Sequence, residues 1–211
     1  MGLRRVLLVG VVASLVLTGC GGSSHKTSTA ATGAPATTGS TATTANTSTS
    51  SIAGRLLASN ELSGFTGSHP SVDNTVSGWL ANRETPSNEV ASETKRLTRV
   101  GFVAGASEDL TGPSGGGVSI AEQFKTPSGA RSELANELKV FKAQAAGYKA
   151  FPVTGIPGAL GLAATGARGV NVAFTSGDYY YLVGAFVSAV NASSEATMTT
   201  AAERLYRRVH G

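Results

Sequence analysis

A few side chains in this sequence have chemistry beyond packing. Cys20 is the sole cysteine and follows Leu17-Thr18-Gly19. A thiolate is the strongest nucleophile among the side chains, so a lone cysteine is a site of alkylation or redox chemistry. With no second cysteine it cannot enter an internal disulfide. Ser114 lies in Gly112-Pro113-Ser114-Gly115-Gly116, which meets the letters of the Gly-x-Ser-x-Gly nucleophile elbow. That elbow must join a strand to a helix and be served by a histidine and an acid. Here a proline precedes the serine and the residues after it alternate as a strand, so Ser114 reads as a hairpin residue and hydrolase chemistry is the weakest reading. The same glycine run lacks the Gly-Lys-Ser/Thr of a phosphate loop. Glu122 shares strand parity with Val118, Ile120 and Phe124 and so points toward the core. It is either a pocket carboxylate held above its ordinary pKa or an acid at an edge, at a bulge or in an ion pair. Tyr180, within Tyr179–Tyr181, offers a stacking platform or a packing layer. Glu122 and Tyr180 are the two candidates for a ligand pocket. His25, His69 and His210 stand at no metal-ligand spacing from other donors, so neither a metal nor a cofactor is expected.

The segment before Cys20 decides its chemistry. Arg4 and Arg5 precede an apolar run, Val6 to Leu17, of about twelve residues. A permanent membrane span needs roughly 20, so the run reads as a secretory signal that is removed. Leu17-Thr18-Gly19-Cys20 resembles the bacterial lipobox. The resemblance implies that residues 1–19 are a lipoprotein signal peptide, that cleavage falls between Gly19 and Cys20, and that Cys20 carries the lipid. One acyl chain binds a membrane marginally, whereas two or three hold it firmly, at about 0.8 kcal/mol per buried methylene.

Residues 20–51 then form the lipidated cysteine and a polar tether. From Gly21 to Ser51 the composition is almost wholly Ser, Thr, Ala and Gly, with Lys26 the one charged residue. Such a segment buries too little apolar surface to offset the entropy of ordering. As a random coil it spans roughly 30 Å. Asn46-Thr47-Ser48 and Asn191-Ala192-Ser193 fit the N-glycosylation pattern, which in a bacterial lipoprotein is read as coincidence.

Residues 52–211 are the right size for one domain. Once Arg4 and Arg5 are removed, 15 basic residues stand against 13 acidic ones. No basic cluster interleaved with aromatics is present, so nucleic acid is not an expected partner. Lys95, Arg96, Arg99 and Arg204, Arg207, Arg208 fall at predicted helix ends, where they complement the macrodipole. Val72, Val76 and Trp79 or Leu80 predict a short helix before Pro86, and Val90, Leu97 and Val100 a second one capped by Ser87. Residues 99–110 read as a strand, 111–117 as a breaker and 118–125 as its hairpin partner. Thr126-Pro127 opens a helix with Ala130, Leu134, Leu138, Phe141 and Ala145 on its apolar face and Glu133 and Glu137 off it. Strand-like pieces flank Pro157-Gly158. The segment 169–175 alternates, with Val170, Val172 and Phe174 on one side. Residues 179–190 are apolar at both parities, as in a central strand covered on both faces. A last helix turns Met198, Ala202, Leu205 and Val209 inward.

This order predicts an α+β fold, a mostly antiparallel sheet between helical layers. The strings "GFVAG", "SIAEQF", "GARSELANEL", "FPVTGIPGALG", "NVAFTSGDYYYLVGAF" and "AAERLYRRV" together resemble the PsbP-like α/β/α sandwich of actinobacterial LpqN-type lipoproteins, over roughly residues 95–211. The resemblance implies a non-enzymatic interaction module on the extracytoplasmic face of the cell membrane, held by the lipid on Cys20 and partnered by an envelope protein. The alternative is a small-molecule or lipid carrier with a cavity between sheet and helices.

Overall fold

The computed structural model describes residues 52–113, 115–143 and 147–210. Cys20, His25, the signal, the tether, Ser114 and Ala145 lie outside them. The described chain builds one antiparallel sheet: β1 (Thr66–Gly67), β2 (Ser71–Asp73), β3 (Phe102–Gly112), β4 (Gly115–Phe124), β5 (Tyr148–Phe151), β6 (Leu160–Ala164), β7 (Gly169–Ser176) and β8 (Tyr179–Phe186). The spatial order is β1-β3-β4-β8-β7-β6-β5, with β2 also paired to β3. The helices are α1 (Val76–Asn82), α2 (Ser87–Val100), α3 (Pro127–Ala143) and α4 (Ala192–His210).

Two apolar layers explain the order of the elements. One face of the sheet gathers Ala106, Val172, Phe174, Tyr181 and Val183 with Met198 and Leu205 of α4, and with Ile52, Leu56 and Leu62 of the N-terminal segment. The opposite face packs Ile120, Phe124, Tyr180 and Leu182 against Trp79 and Leu80 of α1, Leu97 of α2 and Ala130 of α3. The α+β expectation holds, and β8 is the central strand its apolar parities required. Tyr179 to Ala185 are all buried, alternating between the two layers.

Local departures from the sequence reading have physical causes. Val72 belongs to β2, because Ser71 to Asp73 pair with Gly105 to Ser107. α1 therefore starts later, at Val76, where the Thr75 side chain accepts from the Gly78 N–H. Pro86, not Ser87, stands at the N-cap of α2, which ends at Gly101 in the left-handed conformation that glycine tolerates, φ 78°. The β3–β4 hairpin runs further into the glycine-rich breaker than expected, pairing Gly112 with Gly115. β5 ends at Phe151, before the turn at Gly155 and Gly158, both at positive φ.

The largest departure is on α3. Glu133 and Glu137 are buried, while Leu134 and Leu138 are only half-buried. The helix is rotated from its apolar stripe because two arginines wait beneath the glutamates.

Candidate functional site

The site grows from Gly105 and Glu122, which are register partners on β3 and β4. A side chain at position 105 would meet the Trp79 ring at 2.5 Å, so the glycine lets the indole lie flat on the sheet. From there Trp79 donates its Nε1–H to Glu122 Oε1 at 2.8 Å. The corner between α1 and α2 supplies the countercharge: Arg83, the C-cap of α1, donates from Nη1 to the same Oε1 at 2.6 Å and from Nη2 to Glu137 Oε1 at 3.5 Å. One turn back along α3, Glu133 takes both guanidinium nitrogens of Arg96, whose Nε reaches Glu93 at 2.9 Å. Three helices are thus tied to one strand by two guanidinium groups and four carboxylates.

That ratio leaves the cluster short of positive charge. Burial pushes Glu122 up to about 7, and the nearby Glu133 adds to the shift, while Arg83 and the Trp79 hydrogen bond work against it. Glu137 is raised for the same first reason, burial, with Arg83 opposing. Burial lowers the Arg83 pKa, but Glu122, Glu137 and Glu133 more than offset it and hold the guanidinium charged.

Tyr180 stands opposite Glu122 across β4 and β8. Its hydroxyl and Glu122 Oε2 are both buried and find no hydrogen-bond partner among the described residues. Burial, with Glu137, Glu122 and Glu133 nearby, pushes the tyrosine pKa well above its ordinary value. Asn171 on β7, also fully buried, has neither amide atom bonded. Its neighbours Val170 and Val172 face the α4 layer, so by alternation Asn171 faces α3. The apolar layer beneath α3 therefore holds buried polar groups, which costs free energy where a group lacks a partner.

Arg83 and Glu137 also form a wall of an open cleft of about 450 Å³. The α1–α2 corner and α2 enclose one side and α3 the other, over a floor of Val118, Ile120 and Phe186. Gly116, Ser107 and Asp109 extend the floor and His69 stands at the rim. Glu122 and Tyr180 do not line this cleft; they lie behind it, linked to it by the Arg83 guanidinium. Among the described residues no group of three or more histidine, cysteine or acidic side chains is arranged to hold a metal.

Sequence reasoning singled out Glu122 and Tyr180 and missed Arg83, Arg96, Glu133 and Glu137. A signal existed for the two glutamates, four residues apart and hence on one helix face. Arg83 had none, since it lies where α1 ends. The macrodipole reading of the basic clusters gives way to specific contacts. Arg96 pairs as above. Arg208 holds Glu61 through Nε at 2.8 Å and Nη2 at 2.9 Å and donates to the Gly54 and Leu56 carbonyls. Arg204 donates to the carbonyls of Asn60 and Glu61.

No protein-family model matches the chain, and no curated protein matches it in sequence. Among solved structures it is similar to the extracellular domain of PknH from Mycobacterium tuberculosis, with a TM-score of 0.47 at 12% identity, covering 75% of this chain and 96% of that one.

Proposed function

We propose that this protein is a lipid-anchored envelope protein whose folded domain is a non-enzymatic carrier or sensor, holding a small polar molecule in the cleft between α2, α3 and the sheet. The observation that carries the reading is the cleft itself. Its volume of about 450 Å³ falls in the range of small-molecule sites, roughly 300–1,000 Å³. Its walls are fixed by ion pairs that tie three helices to β4. A protein-docking surface would instead expose an apolar patch. Among the described residues the one large hydrophobic side chain that stands exposed is Val90.

The anchor belongs to the same proposal. Residues 1–19 are its signal, Cys20 its lipid attachment and 21–51 its leash, placing the cleft on the extracytoplasmic face of the membrane. No helix among the described residues is long and apolar enough to cross a membrane. Kinship with LpqN-type lipoproteins and their PsbP-like domain is part of the proposal too, supported by the order of hairpin, helix, four strands and terminal helix.

Native mass spectrometry of the whole mature protein, extracted from its own membranes in mild detergent, tests the reading. The expected species begins at Cys20, carries acyl groups, and sheds a small molecule on activation. An unacylated chain sinks the anchor, and a stoichiometric protein partner without a small molecule replaces the carrier or sensor with an interaction module.

A further inference from the structure

The charge balance of the cleft says what kind of molecule it takes. Both arginines on its wall are already engaged: Arg83 by Glu122 and Glu137, and Arg96 by Glu93 and Glu133. Neither guanidinium is left to receive an anion. The carboxylates are not all spent. Glu84 at the helix corner and Asp109 on β3 line the cleft and make no side-chain ion pair among the described residues.

Glu137 is the decisive group. It lines the cleft yet is only 7% exposed. Its one hydrogen bond, through Oε1 to Arg83, is long at 3.5 Å, and its Oε2 accepts none among the described residues. Oε2 is not among the buried atoms that lack a partner, so it is open to a donor that enters the cleft. Below it the floor is apolar at Val118, Ile120 and Phe186, with Val140 beside Glu137 one turn along α3. Hydrocarbon fits there and positive charge fits above it.

We infer that the cleft takes a small organic cation, an ammonium or guanidinium group carried on a short hydrocarbon body, seated on the floor of β4 with its charge against Glu137. This rests on the reading of the cleft as a ligand site and names the ligand class. The ammonium or guanidinium supplies a charge-assisted donor to the oxygen of Glu137 that Arg83 does not reach. An anion of the same shape meets unspent carboxylates and engaged arginines.

Three probes of equal length and different charge test it: n-pentylammonium, n-pentanol and pentanoate, titrated into the ¹⁵N-labelled mature lipoprotein in detergent micelles. The expected result is that n-pentylammonium shifts the amide signals of Asn136, Glu137 and Gly116 with a Kd at least tenfold below that of pentanoate. Glu137→Gln narrows that ratio, and so does Asp109→Asn, whose exposed side chain makes the variant safe for folding. Pentanoate or pentanol moving the same amides as strongly as the ammonium overturns the cation and leaves the cleft as a site. If none of the three moves them, the cation assignment falls together with the cleft.

Discussion

Trp79 reaches Glu122 with a 2.8 Å hydrogen bond only because residue 105 has no side chain. A Cβ there would lie 2.5 Å from the indole, well inside van der Waals contact. The glycine is a packing requirement imposed by its neighbour. Gly105→Ala must push the ring away, breaking its stack on Phe102 and its bond to Glu122 together. Overpacking of this kind costs about 1–3 kcal/mol. Because Trp79 is the sole tryptophan, its emission reports directly on the site. The expected outcome is a red-shifted, weaker emission in the folded state and a lower urea midpoint. An unchanged spectrum refutes the contact.

The charge cluster predicts a pH dependence with a definite sign. Glu122 titrates at about 7 in the folded protein, mainly through burial, and near 4.5 when exposed in the unfolded chain. Between those values the folded state binds the extra proton, so this group's contribution to stability is complete below about 4.5 and is lost as pH rises through about 7. The slope approaches roughly 1.4 kcal/mol per pH unit at most. Glu122→Gln keeps an acceptor for Trp79 and Arg83 and removes the titration. Denaturation followed by Trp79 emission should show the variant close to the parent at pH 5 and clearly more stable at pH 8. A constant difference across that range rules out Glu122 as the titrating group.

Much of this architecture was legible in the chain, and what was missed has one cause. The alternation of Val170, Val172 and Phe174, and the double parity of Tyr179 to Ala185, located the central strands because backbone pleating imposes a period of two wherever a layer is covered. Glu122 could be read as inward-facing for the same reason. The inward turn of Glu133 and Glu137 could not, since an apolar stripe containing Leu134 and Leu138 lies beside theirs on α3. The choice between stripes is made by Arg83 and Arg96, which come from distant points in the chain. Nothing local encodes a pairing between residues 83 and 137. The cleft was invisible for a related reason: its lining comes from separate elements, α2, α3 and β4, so no single stretch of the chain carries it.

Arg208 predicts how the start of the domain is held. Its guanidinium grips both oxygens of Glu61 and two carbonyls of the segment 54–56, so the first described residues are fastened to α4. Arg208→Ala frees these acceptors at once; lysine cannot restore the planar fork. The group is partly exposed, so the effect on global stability is modest, about 1 kcal/mol. The local effect is larger. Leu57 donates its N–H to buried Ser119 Oγ at 2.9 Å, and that amide should lose at least tenfold in hydrogen-exchange protection in both variants, while amides of β8 are unchanged. Equal loss in β8 would mean that the whole fold, not the clamp, had been weakened.

Arg83 joins the α1–α2 corner to both β4 and α3, so its removal tests that tie. Arg83→Met retains bulk over the Trp79 ring but leaves Glu122 and Glu137 without their shared cation. Breaking a buried pair from one side typically costs about 3–5 kcal/mol, because a charge is stranded out of water. The carboxylates escape part of that cost by taking protons. Destabilisation should therefore be smaller at pH 5 than at pH 8, where Glu122 in the parent is ionised and balanced by the guanidinium. Adding Glu122→Gln to Arg83→Met should recover a good part of the loss at pH 8 and little at pH 5. A pair of substitutions whose effects simply add at pH 8 would show that Arg83 and Glu122 do not interact, and with that the tie between the α1–α2 corner and β4 would be gone.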